Sequence, residues 1–294
     1  MRKPVVNLAA SIRARLLAYA KTKGLAFDLV LTRFALERLL DRLSRSPYAD
    51  RFVLKGGMLV MVWFDEPLRA TRDLDLLGFG DPTPEGLRAT FVEILSMPAE
   101  DGLEFDHAGL TSTPIREADQ YGGVRLRTTA ALANARIPVV IDIAFGDAVE
   151  PGLLLIDFPV LLDLPPPKVR AYSPETVIAE KFQAMVMLGR ANSRMKDIFD
   201  VWSLFNAYKI DPTRMADALA ATFARRNTPL PEATPDALTP QFGEDPSKIR
   251  QWRAFVDGLS TEPPPLVEVL AELAAHLMPL TERVRALATA SWRR

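Results

Sequence analysis

Cysteine is absent from this sequence, and histidine is confined to His107 and His276. The first absence excludes disulfides, thiol nucleophiles and thiolate zinc sites. The second argues against a multi-histidine metal centre. Chemistry therefore falls to carboxylates, lysines, arginines and backbone amides, and hard oxygen donors of this kind suit Mg²⁺ or Mn²⁺. No apolar run approaches the roughly 20 residues that span a bilayer. Arg2 and Lys3 open the chain, but Asn7, Ser11, Arg13 and Arg15 break up the apolar residues after them. That segment reads as an amphipathic helix with no secretory signal, and a cytoplasmic location without membrane attachment is the expectation. An excess of either charge is missing too, because 36 basic and 37 acidic side chains leave a net charge of −1. A nucleic-acid partner would have to meet local basic clusters. Candidates are Arg190, Arg194 and Lys196; Arg225 with Arg226; and Arg283, Arg285, Arg293 and Arg294. Each cluster is also what a solvated helix face ordinarily carries.

What is present describes a globular chain of 294 residues, 48% hydrophobic and 25% charged. That length can bury a sizeable core and fits one elaborated domain or two modest ones. Apolar residues recur at helical spacing through the first 47 residues, with Asp28 and Thr32 as caps or first-turn residues of a second helix. Phe52-Val53-Leu54 then reads as a strand, Gly56-Gly57 as a turn, and Met58 to Phe64 as a buried helix. Thr71 to Phe79 reads as a strand with two aspartates, and residues 84–97 as a helix. Alternating segments between Leu103 and Leu132 suggest antiparallel strands. Pro138 to Phe145 forms a β-branched strand bounded by Pro138 and Gly146. Val160–Val169 is proline-rich and reads as a connector. Beyond it the chain is helical. Ser173-Pro174 marks a helix start, with a cap followed by proline at the first helical position. Another helix opens at Ser193 or Arg194. Residues 227–247 hold five prolines and read as a loop, and helices near 247–259 and 266–290 complete the chain. The expected fold class is α+β: a small mixed-sheet core with an N-terminal helical element and a helical C-terminal half. Domain limits are placed at 1–165 and 166–294.

Asp73 and Asp75, two apart on a strand, point to one face with Cα atoms about 6.6–7 Å apart. Such a pair can share a hard cation. Alternatively the two acids are solvated, or paired with Arg69 and Arg72. The Gly56-Gly57 turn between an apolar strand and an apolar helix offers backbone amides to an anion, although a lone Gly-Gly is usually only a turn. Asp142, set among aliphatic residues, needs a partner or a metal if buried. It could complete a three-carboxylate site or act as general base, or it could be structural and pair with Arg125 or Arg127. Lys181 reads on its own as a snorkelling lysine. Asp197 and Asp200 share a helix face.

Taken in order, several blocks resemble the AbiEii/AbiGii toxin family of the DNA polymerase β-like nucleotidyltransferase superfamily. They are Lys55-Gly56-Gly57, Arg69-x-Thr71-Arg72-Asp73-Leu74-Asp75, Tyr121-Gly122-Gly123-x-Arg125, Ile141-Asp142-Ile143-x-Phe145-Gly146-Asp147, Glu180-Lys181 and Lys196-Asp197-Ile198-Phe199-Asp200. They span about residues 50–205. The resemblance implies a nucleotidyltransferase toxin of a bacterial toxin–antitoxin or abortive-infection system, some of whose members add nucleotides to the 3′ end of tRNA. It implies that Asp73 and Asp75 hold the metal, that Gly56 and Gly57 form the family's glycine turn, and that Lys181 contacts nucleotide phosphates. Asp197 corresponds to a downstream acid needed for activity, with Asp200 the neighbouring alternative. With Asp142 as third metal ligand or base, and Lys55 and Arg72 beside the nucleotide, the expected site extends into the helical half. The implied partners are an NTP with Mg²⁺ or Mn²⁺, an RNA acceptor such as the tRNA end, and a cognate antitoxin. The other readings are a binding protein without turnover, and a transferase or kinase that modifies a protein hydroxyl.

Overall fold

The computed structural model describes residues 7–64, 71–115, 122–259 and 262–291. Arg69, Tyr121, Arg293 and Arg294 lie outside them. The chain forms two compact units. Of the described residues, the first takes 7–64, 71–146 and Leu154–Ala171, and the second takes Asp147–Leu153 and those from Tyr172 onward.

In the first unit, helix α1 (Leu8–Lys23) starts where the Asn7 side chain accepts from the Ala10 N–H, and ends at Gly24 in the left-handed conformation. Helix α2 (Phe27–Arg45) comes next. Asp28 lies in its first turn, and its N-cap is Ala26, which makes no side-chain cap. The α2 core face includes Phe34, Leu36, Leu39 and Leu40, all fully buried. It also carries Arg42, whose guanidinium clasps Asp101 at 2.6 and 3.1 Å.

The strands are β1 (Phe52–Lys55), β2 (Leu74–Gly78), β3 (Leu103–Phe105), β4 (Thr111–Ile115), β5 (Gly123–Leu132), β6 (Ala135–Phe145), β7 (Leu154–Asp157) and β8 (Lys168–Ala171). They make one mixed sheet in the order β3-β5-β6-β2-β1-β8-β7, with β4 also on β5. β1 runs antiparallel to β2 and parallel to β8, while β2 runs parallel to β6. Helix α3 (Gly56–Val60) comes after β1, and helix α4 (Pro84–Leu95) after β2. Ile137, Val139, Ile141 and Ile143 alternate along β6 and are buried, and α2 packs against this strand.

Three local expectations change. Strand β6 starts at Ala135 and contains Pro138, which the sequence placed at a boundary. The pairing of β2 with β6 covers only Ile141–Phe145, so Pro138 has a strand partner on the β5 side alone, and a missing N–H is tolerated toward the open side. The connector at Val160–Val169 gives way at Lys168 to β8, which pairs with β1 and with β7. The aspartate strand begins at Leu74, one residue after Asp73.

The second unit is built from α5 (Pro174–Leu188), α6 (Met195–Ala207), α7 (Pro212–Arg225), α8 (Pro240–Gly243), α9 (Pro246–Val256) and α10 (Leu266–Ser291). Their shared core includes Phe182, Phe199, Phe223, Phe242 and Leu273. Ser173 caps α5 by accepting from the Thr176 N–H. The same signal, a capping side chain followed by proline, opens α7 at Asp211-Pro212, α8 at Thr239-Pro240 and α9 at Asp245-Pro246. Residues 227–247 are accordingly not a plain loop. They include a 3₁₀ turn at Asp236–Leu238 and helix α8, and they bury Ala237, Leu238 and Phe242. Among the described residues no helix is long and apolar enough to cross a membrane.

Candidate active site

The site grows from the end of β1. Gly56 has φ +66°, a conformation that disfavours any side chain. A Cβ built there would also run into the Asp75 carboxylate. Glycine is therefore required twice, by its backbone and by the close approach of Asp75. The helix after the turn is shorter than the apolar run suggested, because α3 stops at Val60 and a 3₁₀ turn takes Met61–Trp63. Five residues align few peptide dipoles. Any anion held here would thus depend on the turn's own amides and on neighbouring cations.

Strand register assembles the rest. Lys55 of β1 lies opposite Asp75 of β2, Asp75 opposite Asp142 of β6, and Asp142 opposite Arg125 of β5. In-register neighbours share a sheet face, so one row reads Lys55, Asp75, Asp142, Arg125, with two cations bracketing two carboxylates. Asp142 is on the face opposite the buried isoleucines and is half-buried, so it is not a charge embedded in the core. Asp73 joins from the bend before β2 rather than from the pleat of the strand. One carboxylate oxygen from each of Asp73, Asp75 and Asp142 lies within 4.8 Å of the others. Three hard donors at that spacing, all half-buried, fit a divalent cation. Like charges directly opposite on adjacent strands repel without one.

Asp142 already has a protein partner. Arg125 donates Nε to its Oδ1 at 2.6 Å and Nη2 to its Oδ2 at 2.5 Å. The hydrogen bonding to Asp142 raises the pKa of Arg125. Burial opposes the rise, while the charges of Asp142, Asp73 and Asp75 add to it. Of the two arginines the sequence offered as structural partners for Asp142, it is Arg125 that engages it. Arg72, expected beside the nucleotide, pairs with Asp28 at 3.1 Å across an exposed surface.

In the second unit, Lys181 of α5 meets two acids of α6, Asp197 at 2.6 Å and Asp200 at 2.9 Å. Arg194 contacts the other oxygen of Asp197 at 2.5 Å. Both aspartates are 1% exposed. Burial pushes the pKa of Asp197 up, but Lys181 and Arg194 outweigh it and hold the carboxyl below its usual range. The snorkelling-lysine alternative is thereby replaced by an ion-pair cluster. A second network has no counterpart among the sequence expectations. Arg226 reaches Asp147 and Glu180, each at 3.3 Å, and Tyr172 hydrogen-bonds to both acids. Asp147 and Glu180 stand in motif blocks, but nothing local in the sequence marks Arg226 as their partner.

A mixed sheet whose central strands set a glycine turn against clustered carboxylates describes a nucleotidyltransferase. The chain belongs to the AbiEii nucleotidyl transferase toxin family of type IV toxin–antitoxin systems, whose model matches residues 38–286. Membership implies a nucleotide substrate and a cognate antitoxin. Among solved structures, the chain is similar to JHP933 from Helicobacter pylori at 16% identity and a TM-score of 0.48, covering 88% of this chain and 95% of that one. It is also similar to an antigenic nucleotidyltransferase-like protein from Paracoccidioides brasiliensis, at 16% identity and a TM-score of 0.40, covering 67% and 88%. No curated protein matches it in sequence.

Proposed function

We propose that this nucleotidyltransferase transfers a nucleotide from an NTP to an RNA hydroxyl, the tRNA 3′ end first among acceptors, and that Asp73, Asp75 and Asp142 hold the Mg²⁺ or Mn²⁺ it requires. The observation that carries the reading is the convergence of the three carboxylates beside the Gly56 turn. The acceptor oxygen attacks the α-phosphorus of the NTP. A phosphorus–oxygen bond forms there, the bond to the β-phosphate breaks, and pyrophosphate leaves. The hydroxyl proton passes to water, because Asp142 is committed to the cation. A divalent cation, when bound, supplies charge neutralisation for the triphosphate. The chain's part is orientation and charge. Lys55 and the Gly56-Gly57 amides face the phosphates. Lys181, kept in place by Asp197, is the lysine to which the family motif assigns phosphate contact. The cell compartment that fits this chemistry is the cytoplasm, where tRNA and NTP occur together.

The test is incubation of the purified chain with Mg²⁺, total RNA and each labelled NTP in turn. Wild type should label RNA and Asp75→Ala should not. Equal labelling by Asp75→Ala would refute the site. Label on protein instead of RNA would replace the acceptor class, and NTP binding without pyrophosphate release would replace transfer by sequestration.

A further inference from the structure

Three carboxylates within 4.8 Å of one another are costly in the absence of a cation, and the chain supplies one. Arg125 spans both oxygens of Asp142 in a forked arrangement and stands at the end of the row that begins at Lys55. The charges of Asp73 and Asp75 also act on it, so its influence is not limited to its direct partner. The guanidinium side chain remains 35% exposed, so it can exchange partners without unpacking the core. A planar fork matches a phosphate as well as it matches a carboxylate.

We propose that Arg125 is the resident counter-ion of the acidic triad and a ligand for the triphosphate. It holds Asp142 until a divalent cation claims that carboxylate, and its fork then passes to phosphate oxygens of the NTP. The proposal rests on the reading of the triad as the metal and NTP site. Its physical consequence is an asymmetry. A bare cation competes with Arg125 for Asp142 and binds against that resistance. A cation that arrives with an NTP brings a new anion for the displaced guanidinium, so cation and nucleotide reinforce each other through one arginine. Nothing of this kind is expected from a brace that only joins β5 to β6. Loss of a brace would loosen the site and weaken both ligands together.

The experiment is Mn²⁺ titration of the full chain, monitored by water-proton relaxation, first with Mn²⁺ alone and then with each Mn–NTP. Arg125→Gln should bind Mn²⁺ alone more tightly than wild type, on the order of tenfold, and Mn–NTP more weakly by a similar factor. Arg125→Lys keeps the charge and loses the fork, so it should shift both affinities in the same directions by less. Bare Mn²⁺ binding that is unchanged or weaker in Arg125→Gln, or undiminished Mn–NTP binding, overturns the proposal. Circular dichroism melts establish that each variant folds, and if Arg125→Gln does not, the Arg125→Lys titrations decide on the same criteria. Asp75→Ala separates the two levels of inference. If it binds Mn²⁺ as tightly as wild type, the metal-site reading fails, and the proposal for Arg125 falls with it. If Asp75→Ala loses Mn²⁺ while the Arg125 variants behave as wild type, only the proposal for Arg125 fails.

Discussion

The Asp75 carboxylate occupies the space that a side chain at Gly56 would need. The contact joins the turn after β1 to the central carboxylate of β2, and it makes the glycine a condition of the acidic triad's geometry.

Gly56→Ala should therefore act in two ways. A side chain at φ +66° costs roughly 1–2 kcal/mol, and the new methyl group must also displace Asp75. We expect a fall of about that size in urea-denaturation stability and at least a tenfold loss of nucleotide transfer, in keeping with the sensitivity of catalysis to misplacement. Gly122→Ala is the control, because nothing lies within 4 Å of a Cβ there. Equal transfer rates for Gly56→Ala and wild type would contradict the close approach.

Arg42 and Asp101 are about 2% and 3% exposed, and each depends on the other for charge compensation. Asp101→Ala leaves a guanidinium among α2 side chains with only backbone carbonyls as hydrogen-bond partners. Breaking one half of a buried pair typically costs about 3–5 kcal/mol, and a loss in that range is expected in chemical denaturation. Replacing both residues with apolar ones of similar volume should recover part of it.

Glu37 is fully buried beside Arg38. Burial is the main cause that pushes its pKa from 4.5 up to about 7, against the opposing pull of Arg38, the Leu161 N–H and Arg33. Between those two pH values the folded chain retains a proton that the unfolded chain has released. The stabilising contribution is complete below pH 4.5 and is lost as pH rises through about 7. Its size is about 3 kcal/mol by linkage. Urea denaturation at pH 5 and pH 8 should give a difference in Glu37→Gln that is shifted from the wild-type difference by this order, in the sense of relatively greater stability at pH 8. Identical differences would show that Glu37 titrates normally.

The Lys181 cluster predicts the opposite pH behaviour. The Asp197 pKa is held below its ordinary 3.8 despite burial, by Lys181 and Arg194. Its contribution to stability is present above that value and disappears as pH falls through the lower, folded-state pKa. Acid denaturation of Asp197→Asn should accordingly depend less on pH below about 4 than that of wild type. Lys181→Met should lower transfer by about a hundredfold if the ammonium neutralises charge in the transition state. A Lys181→Met variant that folds and transfers at the wild-type rate would remove Lys181 from the site.

Features that depend only on neighbours along the chain are written in the sequence. Capping side chains followed by proline start α5, α7, α8 and α9, because proline's fixed φ and missing N–H suit the first helical turn. Sequence reading recognises only the first of these. The prolines of 227–247 read as loop markers, although two of them, Pro240 and Pro246, open helices. The glycine turn, the aspartate pair and the strand around Asp142 are legible for the same local reason, and the ordered motif blocks supply the family. Which charges meet is settled only when the chain folds. Parallel pairing of β2 with β6 sets Asp142 beside Asp75, and antiparallel pairing of β5 with β6 delivers Arg125 to Asp142. Helix packing likewise gives Lys181 two buried carboxylates and gives Arg226 its acids. Register and packing are set by the fit of whole apolar faces across long stretches of chain, so the sequence narrows the partner of Asp142 only to Arg125 or Arg127 and leaves Arg226 unmarked. The identity of the acidic site is local information, and its electrostatic partners are not.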